Sequence, residues 1–356
     1  MRRILFALLL LPLTIYGKQS AEAVISSYLV RPRSNQQMDQ IAKTFEVVRR
    51  LPEGFEVYVP VPLVRKFMRL APQAKLLVAD IRQEILQSLL LDQASGEVRY
   101  RSMEQVVAYL QELQQKYPQI AKLDTYGQSK NGKPLYVLKI SDHVAVDEDE
   151  KELLMTAATH GDEIITVEVL LGLVQKLVEG YQGDARIRQM IEQRELYFIP
   201  VVNPEGFLRR DRYSEGVDPN RSYPLVTGGQ ASKTTVIENL IRFFHSRNIS
   251  GSIDFHAYGE LVMFPWGYST RQTTHDGEFA ALAGQMAQGN GYQSGQISRI
   301  LYTAPGSSAD YYYWKKNTQA FGIEVAQTKA PRSSEIPRIV EEAREMTWKF
   351  IEGAGF

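Results

Sequence analysis

The sequence predicts an α/β protein with a mixed, mostly parallel central sheet covered by helices on both faces, preceded by a small α/β sandwich. Three observations carry this. From residue 102 onward, short apolar runs alternate with stretches of helical apolar spacing, the pattern of strands and covering helices. His160, Asn203, His256 and Glu324 all stand at the carboxyl ends of such runs, where open α/β sheets hold their sites. Residues 24–87 form a separate alternating unit that contains no histidine.

The elements follow in order. Residues 1–23 read as a secretion signal. Arg2 and Arg3 precede an apolar run over 4–15, too short for the ~20 residues that span a bilayer. Ala21-Glu22-Ala23 suits cleavage after Ala23, so a secreted or periplasmic location is expected. Cleavage near Gly17, or a retained membrane anchor, are the alternatives. Strands are expected over 24–31, 54–60 and 75–81, and helices over 36–50 and 63–70. Residues 88–101 read as a linker whose Arg99 and Arg101 suit a processing protease, or as a plain connection. The main domain, 102–356, opens with a helix over 103–117. Strands are expected over 121–128, 135–140, 153–157, 196–202, 252–255 and 321–325. A helix over 164–178 follows the third of these, and a last helix covers 336–351.

The 356 residues are 44% apolar and 23% charged, enough for about two domains with full cores. Basic and acidic residues balance at 41 each, which argues against a nucleic-acid partner. No later stretch is apolar enough to cross a membrane, and a monomer is expected. Without cysteine there are no disulfides and no thiolate ligands.

The chemistry gathers around Ala158-Thr159-His160-Gly161-Asp162-Glu163. A His and a Glu three apart at a strand-to-helix turn can aim an imidazole nitrogen and a carboxylate oxygen at one ion. A third ligand should end another buried strand, and His256 does. His143, His245 and His275 sit in a loop, at a helix end and in a polar segment, and are read as structural or solvated. Two His and one Glu leave one zinc position open, the mark of a catalytic rather than a closed site.

Residues 100–351 resemble the zinc metallocarboxypeptidases of the carboxypeptidase A family. Four segments carry the likeness: His160-Gly161-Asp162-Glu163; Asn203-Pro204-Glu205-Gly206-Phe207 with Gly216-Val217-Asp218-Pro219-Asn220-Arg221; His256-Ala257-Tyr258-Gly259-Glu260 through Tyr268; and Tyr302 through Glu324. The resemblance implies one Zn2+ on His160, Glu163 and His256, with Glu324 as general base. It implies that Asn220, Arg221 and Tyr302 grip the terminal carboxylate of a peptide or protein substrate, and that Asp218 orients His160. An oxyanion arginine is implied before the Asn-Arg pair. The segment 208–215 is shorter than usual there, and Arg212 is the choice over Arg210. Ala309, seven residues after Tyr302, would form the base of the pocket for the terminal side chain. Neither it nor Gly267 is acidic, so apolar or aromatic C-terminal residues are expected, although Asp310 adjoins. Residues 24–87 resemble the activation segment of these enzymes, which implies a ferredoxin-like inhibitory lid and an activating protease. A permanent accessory domain is the alternative. Two other functions are carried alongside: a cell-wall peptide amidase of the same family, and a catalytically silent binding protein.

Overall fold

The computed structural model describes residues 24–42, 44–81, 83, 87, 90, 100–229 and 233–356. The expected signal, residues 1–23, and most of the expected linker, Arg99 included, lie outside the described residues. Among the described residues no helix is long and apolar enough to cross a membrane.

The N-terminal unit is a four-stranded antiparallel sheet in the order β2-β3-β1-β4, built from β1 (Ile25–Val30), β2 (Glu46–Leu51), β3 (Gly54–Pro60) and β4 (Lys75–Val78). The helices Asn35–Ala42 and Val64–Leu70 pack on it. Its core joins Tyr28, Val30, Met38, Ile41, Phe45, Val47, Val57, Val59 and Phe67. The order strand, helix, strand, strand, helix, strand is ferredoxin-like. It corrects one expectation. The helix expected over 36–50 ends at Ala42, and residues 46–51 form β2. The β-branched pair Val47-Val48 loses side-chain freedom in a helix, and here it packs well on a half-buried pleat.

The large unit is an eight-stranded sheet in the order β11-β10-β12-β9-β7-β8-β6-β5. Its strands are β5 (Ala121–Gln128), β6 (Pro134–Ile140), β7 (Lys151–Thr156), β8 (Arg194–Ile199), β9 (Ile249–His256), β10 (Leu261–Phe264), β11 (Gln293–Gln296) and β12 (Gln319–Glu324). The contiguous centre β8-β7-β9-β12 is parallel, while β6 and β10 join it antiparallel. Met103–Lys116, Ile165–Gly180 and Ile336–Gly353 cover one face. Thr235–Ser246 and Ser308–Lys316 cover the other.

Helix Ile165–Gly180 is buried almost all round, because it lies between the sheet and Ile336–Gly353. Each Leu, Ile or Val that it buries contributes about 1.5–3 kcal/mol. Helix Met103–Lys116 starts at a capping box, in which Ser102 and Gln105 satisfy each other's backbone N–H groups.

The small unit docks on the large one. Val48, Tyr58 and Ile81 join the large unit's core cluster. At the junction Tyr100 is buried and donates to the Pro331 carbonyl. Arg101 pairs with the buried Glu168 and stacks over Tyr109. Glu168 and Tyr109 thus hold the Arg101 guanidinium against the large unit.

Candidate active site and metal centre

The sheet delivers the site residues through the ends of its parallel strands. Beyond β7 the chain turns at Ala158, whose φ is 46°, and pairs with the segment beyond β8 through Val202 N–H to Ala157 O and Asn203 N–H to Ala158 O. Gly161 makes the turn possible. A Cβ at this position would lie 2.0 Å from the Gly206 carbonyl carbon, so any side chain would push the turn off its support. Asn203 caps the helix Pro204–Arg209 that provides that support, accepting from Gly206 N–H. β9 ends at His256, and β12 ends at Glu324 directly opposite it in register. The peptide bond Ala257–Tyr258 is cis.

His160, Glu163 and His256 converge. His160 Nδ1 lies 2.8 Å from Glu163 Oε1, His256 Nδ1 lies 3.1 Å from Glu163 Oε2, and the two Nδ1 atoms are 3.2 Å apart. Four donors at about 2.0–2.1 Å from a tetrahedral zinc are about 3.3 Å from one another. The three side chains therefore fit one such ion, and the donor set could hold a metal.

The surrounding charges order these groups. Burial would raise the Glu163 carboxyl, but His160 and His256 hold it well below its ordinary range. Burial would lower His256, but Asp254 and Glu163 lift it well above the usual imidazole range. His160 is raised too, with Glu163 and Asp218 overcoming burial and Arg212. Glu324 is half-buried in the same cleft, where desolvation and then the Glu163 charge push it up to about 7.

Asp218 Oδ1 lies 3.0 Å from His160 Nε2, on the ring edge away from the cluster. Its Oδ2 accepts from Arg212 Nε and NH2 at 3.2 and 2.9 Å. Arg212 reaches the cluster, with NH1 3.0 Å from His160 Nδ1 and 3.3 Å from Glu163 Oε1. Arg210 does not. It caps its helix in the left-handed conformation and folds back over the Phe207 ring, donating to the Phe207 carbonyl. Between the two candidate arginines, geometry brings only Arg212 to the site.

Asn220, Arg221 and Tyr302 line the same cleft. Arg221 donates to the Tyr302 hydroxyl at 2.7 Å. Asn220 Oδ1 accepts from Ser308 N–H at 2.9 Å. Beyond them the wall is apolar: Met263, Ile297, Leu301, Ala304 and Ala309. Asp310 is buried behind this wall and accepts from the backbone N–H groups of Gly267 and Tyr268 at 2.7 and 2.8 Å.

The sequence reading missed two groups. Glu46 enters the cleft from β2 of the small unit, and its carboxylate lies 2.9 Å from Arg212 NH1 and 3.6 Å from Lys329 Nζ. Desolvation outweighs both cations and keeps the Glu46 carboxyl above its ordinary range. Once β2 is recognised as a strand, its period of two puts Glu46 on the face of Val48, away from Val47 and the small unit's core. The other is Asp254, buried in β9 two residues before His256. A lone acid inside an apolar strand was the available signal.

The fold superposes on the crystal structure of carboxypeptidase A from Helicoverpa armigera with a TM-score of 0.80 at 18% identity, over 94% of this chain and 98% of that one. It also superposes on thrombin activatable fibrinolysis inhibitor with a TM-score of 0.72 at 19% identity, over 93% and 98%. Likeness at these identities shows the metallocarboxypeptidase fold, with the small unit included. The sequence model of the zinc carboxypeptidase family matches residues 106–346, and the chain belongs to that family. Among curated relatives, a "Zinc carboxypeptidase" of Saccharothrix mutabilis subsp. capreolus is 29% identical over 276 residues, covering 66% of this chain and 63% of that protein. "Carboxypeptidase A2" of Mus musculus is 24% identical over 266 residues, covering 64% and 63%. The match thus spans slightly less than two thirds of either relative.

Proposed function

We propose that the protein is a zinc metallocarboxypeptidase that hydrolyses the C-terminal bond of peptides, prefers apolar or aromatic terminal residues, and is made as a secreted or periplasmic zymogen. The observation that carries the reading is the His160–Glu163–His256 cluster with Glu324 in register beside it. Zinc held by the two Nδ1 atoms and the Glu163 carboxylate would acidify a water and polarise the substrate carbonyl. Asn220, Arg221 and Tyr302 clamp the terminal carboxylate, the guanidinium through paired N–H donors. Glu324 accepts the proton of the attacking water as its oxygen bonds to the carbonyl carbon. Arg212 holds the negative oxygen that develops. Glu324 then passes the proton to the nitrogen as the C–N bond breaks.

The apolar preference rests on Met263, Ile297, Leu301, Ala304 and Ala309, and on Asp310 being occupied by two backbone donors. The zymogen reading rests on Glu46, which competes for Arg212 while Val47 and Val48 line the cleft beside it. The remaining cavity is about 60 Å3, against roughly 300 Å3 or more in ordinary small-molecule sites. No terminal residue fits until the small unit moves. With Arg101 bound to Glu168, the processing point we propose is Arg99.

The test assays N-blocked dipeptides with zinc-loaded protein before and after mild trypsin treatment. Hydrolysis of Phe- or Leu-terminated substrates, strongest after cleavage and abolished by a chelator, is expected. A processed, zinc-loaded protein inactive on every peptide would overturn the proposal. Cleavage of murein peptides alone would replace it with the amidase reading.

A further inference from the structure

Asp254 precedes His256 by two residues on β9, so both side chains lie on one face of the strand. Its carboxylate is 3% exposed and fully engaged. Oδ1 accepts from the hydroxyls of Thr156 and Thr159, each at 2.8 Å. Oδ2 accepts from the Ser308 hydroxyl at 2.9 Å and lies 3.1 Å from His256 Nε2. Three hydroxyl donors aimed at the two oxygens are the partners of a carboxylate that accepts only. Its one contact of chemical consequence is the ring nitrogen opposite Nδ1.

That nitrogen has a second neighbour. Asn220 Nδ2 lies 3.2 Å from His256 Nε2. The amide cannot turn its oxygen there without losing the bond from Ser308 N–H to Oδ1. An amide N–H offered to Nε2 demands the tautomer with the proton on Nδ1, which closes that nitrogen to a cation. A carboxylate demands the opposite tautomer. Neutral imidazole has one proton, so the two neighbours pull it in opposite directions. The carboxylate has the stronger pull, because a hydrogen bond to an ionised acceptor is roughly twice as strong as a neutral one.

We infer that Asp254 is a positioning residue that fixes His256 in the Nε2–H tautomer and so leaves the Nδ1 lone pair for zinc. It does for His256 what Asp218, 3.0 Å from Nε2, is placed to do for His160. The inference rests on the zinc site proposed above. It adds that Ser308, beside the pocket residue Ala309, ties the specificity wall to the metal cradle. Its hydroxyl holds Asp254 and its N–H holds Asn220.

The test is Asp254→Asn in the full chain. Thr156 and Thr159 would keep the amide oxygen on their side and turn the NH2 toward Nε2, forcing the proton onto Nδ1. Zinc affinity, measured by competition with a chelator, is expected to fall about 100-fold, the upper end for loss of a group that orients a ligand. The d–d spectrum of the cobalt-loaded protein should change with it, while the metal-free protein keeps its melting temperature within a few degrees. Unchanged zinc affinity and cobalt spectrum would overturn the inference. Should the variant not fold, the unaltered chain decides. In metal-free protein, at a pH that leaves the ring neutral, ring 15N shifts must put the His256 proton on Nε2, and finding it on Nδ1 overturns the inference. If the unaltered chain binds no zinc, the metal reading fails with it, an outcome distinct from zinc binding that ignores Asp254→Asn.

Discussion

The two ends of the cleft are built on opposite physical rules. At the proposed metal end His160, Glu163, His256, Arg212 and Asp254 are buried, Asp218 and Glu324 stand half-buried beside them, and almost every charge has a partner at hydrogen-bond distance. At the pocket end Met263, Ile297, Leu301, Ala304 and Ala309 offer only shape and apolar surface. The metal end depends on which proton sits where, so it tolerates few substitutions. The pocket end depends on volume and on the absence of charge, so single substitutions there should redirect the protein rather than silence it.

The largest effect that could break this contrast is at Glu324. Glu324→Gln preserves the shape of the side chain and removes its ability to accept a proton. Turnover of a Phe-terminated dipeptide by the processed protein is expected to fall by about 10²–10⁴. Zinc content, measured by atomic absorption, should stay at the level of the unaltered chain, since Glu324 is not among the three ligands. Retained turnover would sink the assignment of the base.

A smaller effect is expected at the other end. Ala309→Asp puts a carboxylate against apolar neighbours. kcat/KM for Phe-terminated substrates should fall roughly 10–200-fold, the scale on which an apolar pocket discriminates, and rise for Lys- or Arg-terminated ones. Zinc affinity should not move. If activity on every substrate vanished together, the two ends would not be separable.

Smaller again is the effect of the small unit on both ends. Glu46→Gln removes a buried charge facing Arg212 and Lys329, and breaking such a pair costs about 2–5 kcal/mol when both partners are fully charged. Because desolvation already holds the Glu46 carboxyl above its usual range, the net loss is smaller. Unprocessed Glu46→Gln protein should show about tenfold more activity than the unprocessed parent, and the processed forms should match. Equal activity of the two unprocessed chains would mean that β2 blocks the cleft by bulk alone.

How far each end could be read from sequence follows the same contrast. The meeting of His160, His256 and Glu324 was legible because each ends an apolar run, and strand ends in a parallel sheet must meet on one edge. Arg212 and Arg210 were not separable, since loop geometry decides which reaches the site. Only the structure reveals the left-handed cap at Arg210. The pocket wall is assembled from β10, helix Ile297–Ile300 and the segment after Tyr302, and no spacing rule joins these. The small fold was legible in outline, but its helix was extended too far. Met38, Ile41, Ala42, Phe45 and Val48 keep helical spacing across a boundary that β-branched residues then override. That overrun hid Glu46. Asp254 was visible as an acid within an apolar strand, but only side-chain geometry links it to His256.

The smallest effect is a shift rather than a loss, and it concerns the electrostatics that set the metal end apart. Desolvation and the Glu163 charge push Glu324 up to about 7. A base must be ionised to work, so kcat/KM must fall as pH drops through the pKa of Glu324. A bound dication draws that pKa down, because it favours the carboxylate. The acid limb of the profile for processed, zinc-loaded protein should therefore have its midpoint at or below about 7. Ala309→Asp should leave this midpoint in place, because its new charge lies at the pocket end. A midpoint that moved by a full unit would mean that the two ends share one electrostatic environment, and the division drawn between them would have to be abandoned.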